Sequence, residues 1–428
     1  MKRCAVNDRR LRAAGAAVAL ILFAGACTDS GGDASSSSGT VSETPSGTVS
    51  ETSGSEASEA GAPTPVDQAE LQLALESGAQ EFLLPGAVAL LRTPSGTITA
   101  TYGTTEHDGG EQVSLDDHIR VGSNTKTWTA TVILQMVSEG ALSLSDPVSK
   151  HRPDVPNGEN ITIEQLLNMR SGLYNYSETP ELNEALDNDP GRVWQPDELL
   201  ALGFANPPYF PPGEGYHYSN TNYVLLGLIA VQLDGKPLPD IFDERIFRPA
   251  RMSDSSFPDP TEVELPTPYS HGYFFGTNML TLTDPALPEE MQTEAENGTL
   301  APTDVTNTNP SWAWSAGAGI ATAEDLATWV EALTNGSVLD AELQQQRMDS
   351  IVPTDPSTPD AAGYGWGIAK MGPMYGHTGE LPGYNSFMGS DPENGITLIV
   401  WANLAPGADG RDPATTIAKG LIDGMYGL

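Results

Sequence analysis

The chain has 428 residues, with 57 Asp plus Glu against 20 Lys plus Arg, a formal charge of −37 and a pI near 4.2. Hydrophobic residues make up 39%, enough for a sizeable core and too many for wholesale disorder. The acidity excludes nucleic acid and anionic membrane surfaces as partners, because both reward clustered Lys and Arg. The two cysteines, Cys4 and Cys27, both sit near the N-terminus, which excludes a disulfide framework or a Cys-rich metal site in the body.

Lys2, Arg3, Arg9, Arg10 and Arg12 form a basic opening, followed by an apolar run from Ala13 to Ala26. That run suits a signal-peptide core and falls short of the ~20 residues that span a bilayer. It ends Ala24-Gly25-Ala26-Cys27, and small residues directly before a Cys resemble the lipobox of bacterial lipoproteins. The resemblance implies an export signal over 1–27 with Cys27 as lipidation site, an extracytoplasmic location, and a membrane partner reached only through an N-terminal lipid. Residues 28–66 are rich in Ser, Gly, Thr and Glu, and the octet Ser38–Pro45 returns nearly intact at Ser46–Ser53. Such a composition buries no apolar surface and is expected to form a disordered tether with a reach of roughly 35 Å. Residues 1–66 hold 7 acids and 5 bases, so the body itself carries −35. That charge makes neutral or cationic substrates easier to accept than strongly anionic ones.

The folded unit is expected over 67–428, with mixed α and β patterning. Residues 68–82 read as a helix, and Ala87–Leu91 and Thr97–Thr101 as strands flanking the turn Pro94-Ser95-Gly96. Thr125–Glu139 is a helix stopped by Gly140. The stretch 141–310 is rich in Pro, loops and short helices, including Tyr223–Leu233. Helices return at Ala323–Thr334 and Ala341–Met348, then strands at Tyr364–Lys370, Tyr384–Gly389 and Ile396–Ala402, and a closing helix at Pro413–Met425. Strands at both ends around a helical middle predict one sheet built from both termini, a large helical lobe over about 141–310, and a cleft between the two that suits a ligand.

Three short elements carry chemistry. Ser123 and Lys126, in Gly122-Ser123-Asn124-Thr125-Lys126, are three apart at a helix start and share a face. Free backbone N–H groups and the positive dipole end favour a nucleophile that becomes anionic in passing, and a desolvated amine beside it can take the proton. Tyr218 and Asn220 form a Tyr-x-Asn in the loop before the helix of Tyr223. A phenol relays protons, and an Asn amide both donates and accepts toward an amide substrate; alone, Asn220 reads as a helix cap. Tyr375-Gly376-His377-Thr378-Gly379-Glu380, with strands before and after, can form a short strand that runs beside the nucleophile and lends a backbone N–H to an oxyanion. The six His residues show no paired ligand spacing, so no metal and no cofactor is expected.

In this order the three elements resemble the serine penicillin-recognising superfamily. The Tyr-x-Asn and His-Thr-Gly variants are similar to the branch of class C β-lactamases and D-alanyl-D-alanine carboxypeptidases. Ser311-Trp312-Ala313-Trp314-Ser315-Ala316-Gly317 and Tyr364-Gly365-Trp366-Gly367 extend the resemblance over nearly all of 67–428. The resemblance implies an α/β (α+β) fold of β-lactamase/transpeptidase type, an antiparallel sheet flanked by helices with a large mainly helical insertion. It implies Ser123 as acylated nucleophile, Lys126 and Tyr218 as proton carriers, and Asn220, His377, Thr378, Gly379 and Trp312 as substrate-binding residues. The backbone N–H groups of Ser123 and Glu380 would form the oxyanion hole. The activity implied is that of a monomeric serine hydrolase, a D-alanyl-D-alanine carboxypeptidase on peptidoglycan stem peptides, with esterase and β-lactamase as alternatives of the same fold. A non-catalytic peptidoglycan-binding protein is the reading from another class.

Two departures bear on specificity. The similar carboxypeptidases hold a terminal carboxylate with an Arg on the strand before the third motif and a hydroxyl residue after it. Here that strand offers only Lys370, and the residue after Gly379 is the acid Glu380. A cleft-facing Glu380 would repel a carboxylate.

Overall fold

The computed structural model describes residues 62–358 and 361–428. The expected export signal, Cys27 and all but the last five residues of the expected tether lie outside them. Those last residues are not free, because the Thr64 N–H donates to the Met425 carbonyl at 2.7 Å.

The first helix, α1 (Gln68–Glu81), starts in a reciprocal capping box. Asp67 accepts from the Ala69 and Glu70 amides, and Glu70 reaches back to the Asp67 N–H. Its buried face, Leu71, Leu75, Gly78 and Ala79, follows the helical repeat. Strands β1 (Gly86–Thr93), β2 (Gly96–Glu106) and β3 (Gly109–Gln112) follow as an antiparallel meander. The C-terminal part supplies β4 (Val352–Pro353), β5 (Gly363–Tyr364), β6 (Ala369–Met371), β7 (Met374–Leu381), β8 (Tyr384–Asp391) and β9 (Ile396–Ala402). All nine form one antiparallel sheet in the order β3-β2-β1-β9-β8-β7-β6-β5-β4. The two ends of the chain meet where β1 pairs with β9, with Ala89 opposite Val400.

Every residue of β8 and β9 is buried, the mark of strands covered on both faces. Helix α1 and the last helix, α5 (Pro413–Tyr426), pack together over one face, and Asn385 of β8 accepts there from the Thr415 N–H at 3.1 Å. The next residue, Ser386, points the other way and donates to the Val121 carbonyl at 3.1 Å. On that side lie α2 (Thr125–Ser138) and α4 (Ala323–Asn335), joined by the Trp329 indole donating to Thr127 Oγ1 at 2.7 Å. Between them in sequence come short helices and α3 (Asn220–Asp234), which is buried along most of its length. The β-lactamase/transpeptidase fold expected from the motifs is the fold found.

One local expectation needs correction. The single strand read at Tyr364–Lys370 is two short ones, interrupted at Gly365–Ile368. Gly367 there takes φ +65°, and a Cβ on it would meet Ala130 Cβ at 2.2 Å, so the chain turns in against α2 rather than running on extended. The third motif lies within strand β7, the short strand expected beside the nucleophile. Its glycines weaken the local strand signal, and pairing with β8 along Tyr375–Leu381 overrides it.

Candidate active site

The nucleophile turn is built by close approach. A two-residue strand, Ile119–Arg120, leads into a tight 3₁₀ turn, Gly122–Asn124, and then into α2. Gly122 takes φ +56°, and a Cβ there would lie 2.5 Å from the Glu380 amide nitrogen. Only glycine lets the turn sit against β7 at this distance. From the other side Gly379 does the same, since its Cβ would lie 1.9 Å from the Val121 carbonyl oxygen. Asn124 ties the turn to the sheet by donating to Ser386 Oγ at 2.8 Å, and Thr125 closes it by donating to the Gly122 carbonyl at 2.7 Å. The backbone amides of Ser123 and Glu380 are thereby brought to one place.

Ser123 is partly exposed at the mouth of this turn, and Lys126, one helical turn on, is fully buried. Lys126 Nζ lies 2.8 Å from Ser123 Oγ and donates to the Ala316 carbonyl at 2.7 Å. Neither partner is a carboxylate. Burial without a counter-charge holds the ammonium well below its ordinary pKa. The Tyr218 ring lies 4.7 Å from Nζ, and its hydroxyl, buried against Ser123, has no hydrogen-bond partner of normal geometry. Burial raises the Tyr218 pKa well above that of a free phenol, with the Ser123 hydroxyl offsetting a small part.

Asn220 opens α3 but does not cap it. Its amide Nδ2 donates to Ser177 Oγ, and its backbone N–H donates to Asn175 Oδ1, both at 3.0 Å. The side chain lines the cleft with Ser123, Tyr218, Trp312 and Thr378. Trp312 is fixed by its carbonyl, which accepts from the Tyr176 hydroxyl at 2.7 Å. The cleft is open to solvent on one side and has a volume of about 160 Å³.

Strand alternation sorts the third motif into two faces. Thr378 and Glu380 line the cleft. His377 and Gly379 lie behind it, so the expectation that they touch substrate is corrected. His377 is fully buried: its Nδ1–H donates to the Thr378 carbonyl at 2.5 Å, and its Nε2 accepts from the Tyr364 hydroxyl at 3.0 Å. Burial above all holds it neutral, with a pKa pushed down to about 3. Its ring centroid is 6.2 Å from that of Tyr218.

The two specificity departures separate in space. Glu380 faces the cleft, while Lys370 sits at 5.2 Å over the Tyr375 ring and lines a different surface hollow. Nothing in the local sequence marks Asn175, Ser177 or Asp412 as cleft residues. Asp412 directly precedes the helix read at Pro413–Met425, and nothing local marks its nearness to Glu380. Among the described residues, no group of three or more His, Cys, Asp or Glu side chains is placed to hold a metal ion, and no helix is long and apolar enough to cross a membrane.

This sheet, this turn and this cleft define a serine hydrolase of the β-lactamase and penicillin-binding superfamily. The model of the Beta-lactamase family matches residues 75–421, and the chain belongs to that family. Among curated relatives, "Protein flp" of Staphylococcus aureus (strain COL) is 28% identical over 349 residues, 79% of this chain and 63% of that protein. The "Putative penicillin-binding protein PbpX" of Bacillus subtilis (strain 168) is 28% identical over 280 residues, 65% of this chain and 60% of that protein. The chain thus spans less than two thirds of the length of these relatives. Among solved structures, a D-stereospecific amidohydrolase from Streptomyces sp. superposes with a TM-score of 0.70 at 31% identity, covering 84% of this chain and 99% of that one. A D-amino acid amidase from Ochrobactrum anthropi SV3, complexed with L-phenylalanine, gives 0.70 at 25%, covering 82% and 97%.

Proposed function

We propose that the protein is an extracytoplasmic hydrolase, held to the outer membrane face through a lipid on Cys27, that cleaves small amides through a Ser123 acyl-enzyme. The observation that carries this reading is the 2.8 Å pairing of Ser123 Oγ with a lysine amine that is buried without a counter-ion. With one N–H spent on the Ala316 carbonyl, the neutral amine presents its lone pair to the Ser123 hydroxyl and takes its proton as Oγ attacks the carbonyl carbon. The backbone amides of Ser123 and Glu380 receive the oxyanion. Tyr218 keeps its proton at neutral pH, lies against Ser123, and is the group suited to protonate the departing amine. Collapse of the tetrahedral intermediate breaks the C–N bond, and water later releases the acid from Ser123 by the reverse proton path.

Support for amide substrates over peptides with a terminal carboxylate comes from the cleft. No Lys or Arg is among its lining residues, and it contains two acids, Glu380 and Asp412. The similar amidohydrolase and amidase structures act, by their names, on D-configured amides. D-alanyl-D-alanine carboxypeptidase action on peptidoglycan stems is the second reading, favoured by the similarity to a penicillin-binding protein.

Intact mass spectra of the protein and of Ser123→Ala, taken after exposure to a penicillin and to a fluorophosphonate, together with turnover of D-alanine amide and of a D-alanyl-D-alanine peptide, test both. Ser123-dependent amide turnover without peptide turnover supports the amidase. Peptide turnover with a penicillin adduct on Ser123 transfers the assignment to the carboxypeptidase. Absence of any adduct on Ser123 would overturn the acyl-enzyme itself.

A further inference from the structure

We propose that Glu380 and Asp412 form a cation-recognising wall of the Ser123 cleft, selecting substrates that carry an ammonium group. The proposal rests on the reading of Ser123 as nucleophile and adds the class of substrate.

Glu380 enters the cleft because it shares the face of β7 occupied by Thr378. Asp412 enters from the opposite direction, on the segment between β9 and α5. It stands at the N-cap position of α5 but makes no side-chain cap bond, so its carboxyl is not committed to the helix. The two carboxyls line the same cleft, and for each the acting charged neighbour is the other. Two acids in contact retain a shared proton, because desolvation and mutual repulsion disfavour the doubly charged state. Asp412 is raised to about 6 and Glu380 lies well above an ordinary carboxyl. The pair therefore brings shared negative charge to the cleft wall, which no Lys or Arg side chain lines.

A second feature of the same cleft points to a ligand. The Tyr218 hydroxyl, only 8% exposed as a residue, lines the cleft against Ser123 with no hydrogen bond of normal geometry. A buried polar atom left unpaired is costly, and a bound substrate supplies the missing partner. A purely structural role accounts poorly for a carboxyl pair at this place. Structural carboxyls elsewhere among the described residues accept from N–H or O–H donors or pair with a base, as Asp340, Asp117 and Glu331 do. An ammonium group laid against the pair meets a charge in a partly desolvated wall and can donate to both carboxyls.

The ammonium can belong to the acyl side of the substrate, as a free α-amino group, or to the leaving amine. Three matched amides separate these sources: N-acetyl-D-alanine propylamide, which is neutral; D-alanine propylamide, with its ammonium on the acyl side; and N-acetyl-D-alanine 2-aminoethylamide, with its ammonium on the leaving side. Each is used to slow phosphonylation of Ser123 by a fluorophosphonate, which reports occupancy of the cleft whether or not the amide turns over. One of the two cationic amides is expected to protect at about tenfold lower concentration than the neutral one, as one desolvated charge pair provides. That advantage is expected to fall to within about threefold in Glu380→Gln and in Asp412→Asn, whichever way the absolute rates move. Equal protection by all three amides overturns the proposal, as does an advantage unchanged in both variants. Failure of the reagent to label Ser123 at all is a separate result, which overturns the nucleophile reading instead.

Discussion

Gly122 and Glu380 meet backbone to backbone, so closely that a Cβ on Gly122 would stand 2.5 Å from the Glu380 amide nitrogen and 2.9 Å from its carbonyl oxygen. The contact joins the nucleophile turn to the sheet edge and fixes the separation of the two amides proposed as the oxyanion hole. Gly122→Ala must push these segments apart and also strain a φ of +56°. We expect stability to fall by about 1–3 kcal/mol and the rate of Ser123 phosphonylation to fall by at least about a hundredfold. A thermal melt and a labelling time course on the same sample check both.

Lys126 is buried without a counter-ion, a costly arrangement that stability alone does not favour. Lys126→Met keeps the length of the side chain and removes the desolvation cost, leaving the Ala316 carbonyl without its donor. Hydrolysis is expected to fall by about a thousandfold or more, while the melting temperature holds or rises. A large loss of stability in Lys126→Met would show that the amine is structural.

Tyr218→Phe removes a hydroxyl that makes no hydrogen bond of normal geometry. The unfolding free energy is expected to stay within about 0.5 kcal/mol of the parent. Turnover is expected to drop by about 10²- to 10⁴-fold if the phenol carries protons as proposed. Denaturant titration and steady-state kinetics separate the two effects.

His377 makes stability depend on pH. Its folded pKa is about 3, against an ordinary value of 6.5. As pH falls below 6.5 the unfolded chain takes up a proton that the folded chain refuses, so this group destabilises the fold progressively, by about 2 kcal/mol at pH 5. Lys126, Tyr218 and Tyr364 are the titratable side chains around it. The Glu380–Asp412 pair works in the opposite sense. Its raised carboxyls bind protons in the folded state first, and stability from them grows as pH falls through about 6. The His377 effect is therefore read as a difference: between pH 7 and pH 5, the parent is expected to lose about 2 kcal/mol relative to His377→Gln. Parallel pH profiles of the two proteins would contradict the neutral, buried imidazole.

The chain order of the elements, the helical seam of α1 and the Ser-x-x-Lys on the first turn of a helix were legible in the sequence, because each is set by contacts within a few residues. The fold followed from three short motifs, since their order is tied to a known superfamily. Residues 375–380 as a continuous strand were harder to see, because Gly376 and Gly379 suit the pairing with β8 and the approach to Val121 rather than local strand preference.

The facing of side chains was decided by tertiary structure. His377 and Thr378 are adjacent in sequence, yet one is sealed behind the wall and the other lines the cleft, and only the register of β7 against β8 fixes which is which. Lys370 and Glu380 were both candidates to set specificity, and the sheet sends one to a separate hollow and the other into the site. Asp412 lies 32 residues beyond Glu380 in the chain. Its carboxyl reaches Glu380 because β8 and β9 return the chain across the sheet. By itself the sequence determined which chemistry the chain carries, since nucleophile and base lie one helical turn apart. The charge of the cleft depends on distant segments packing together, and that packing exists only in the folded molecule.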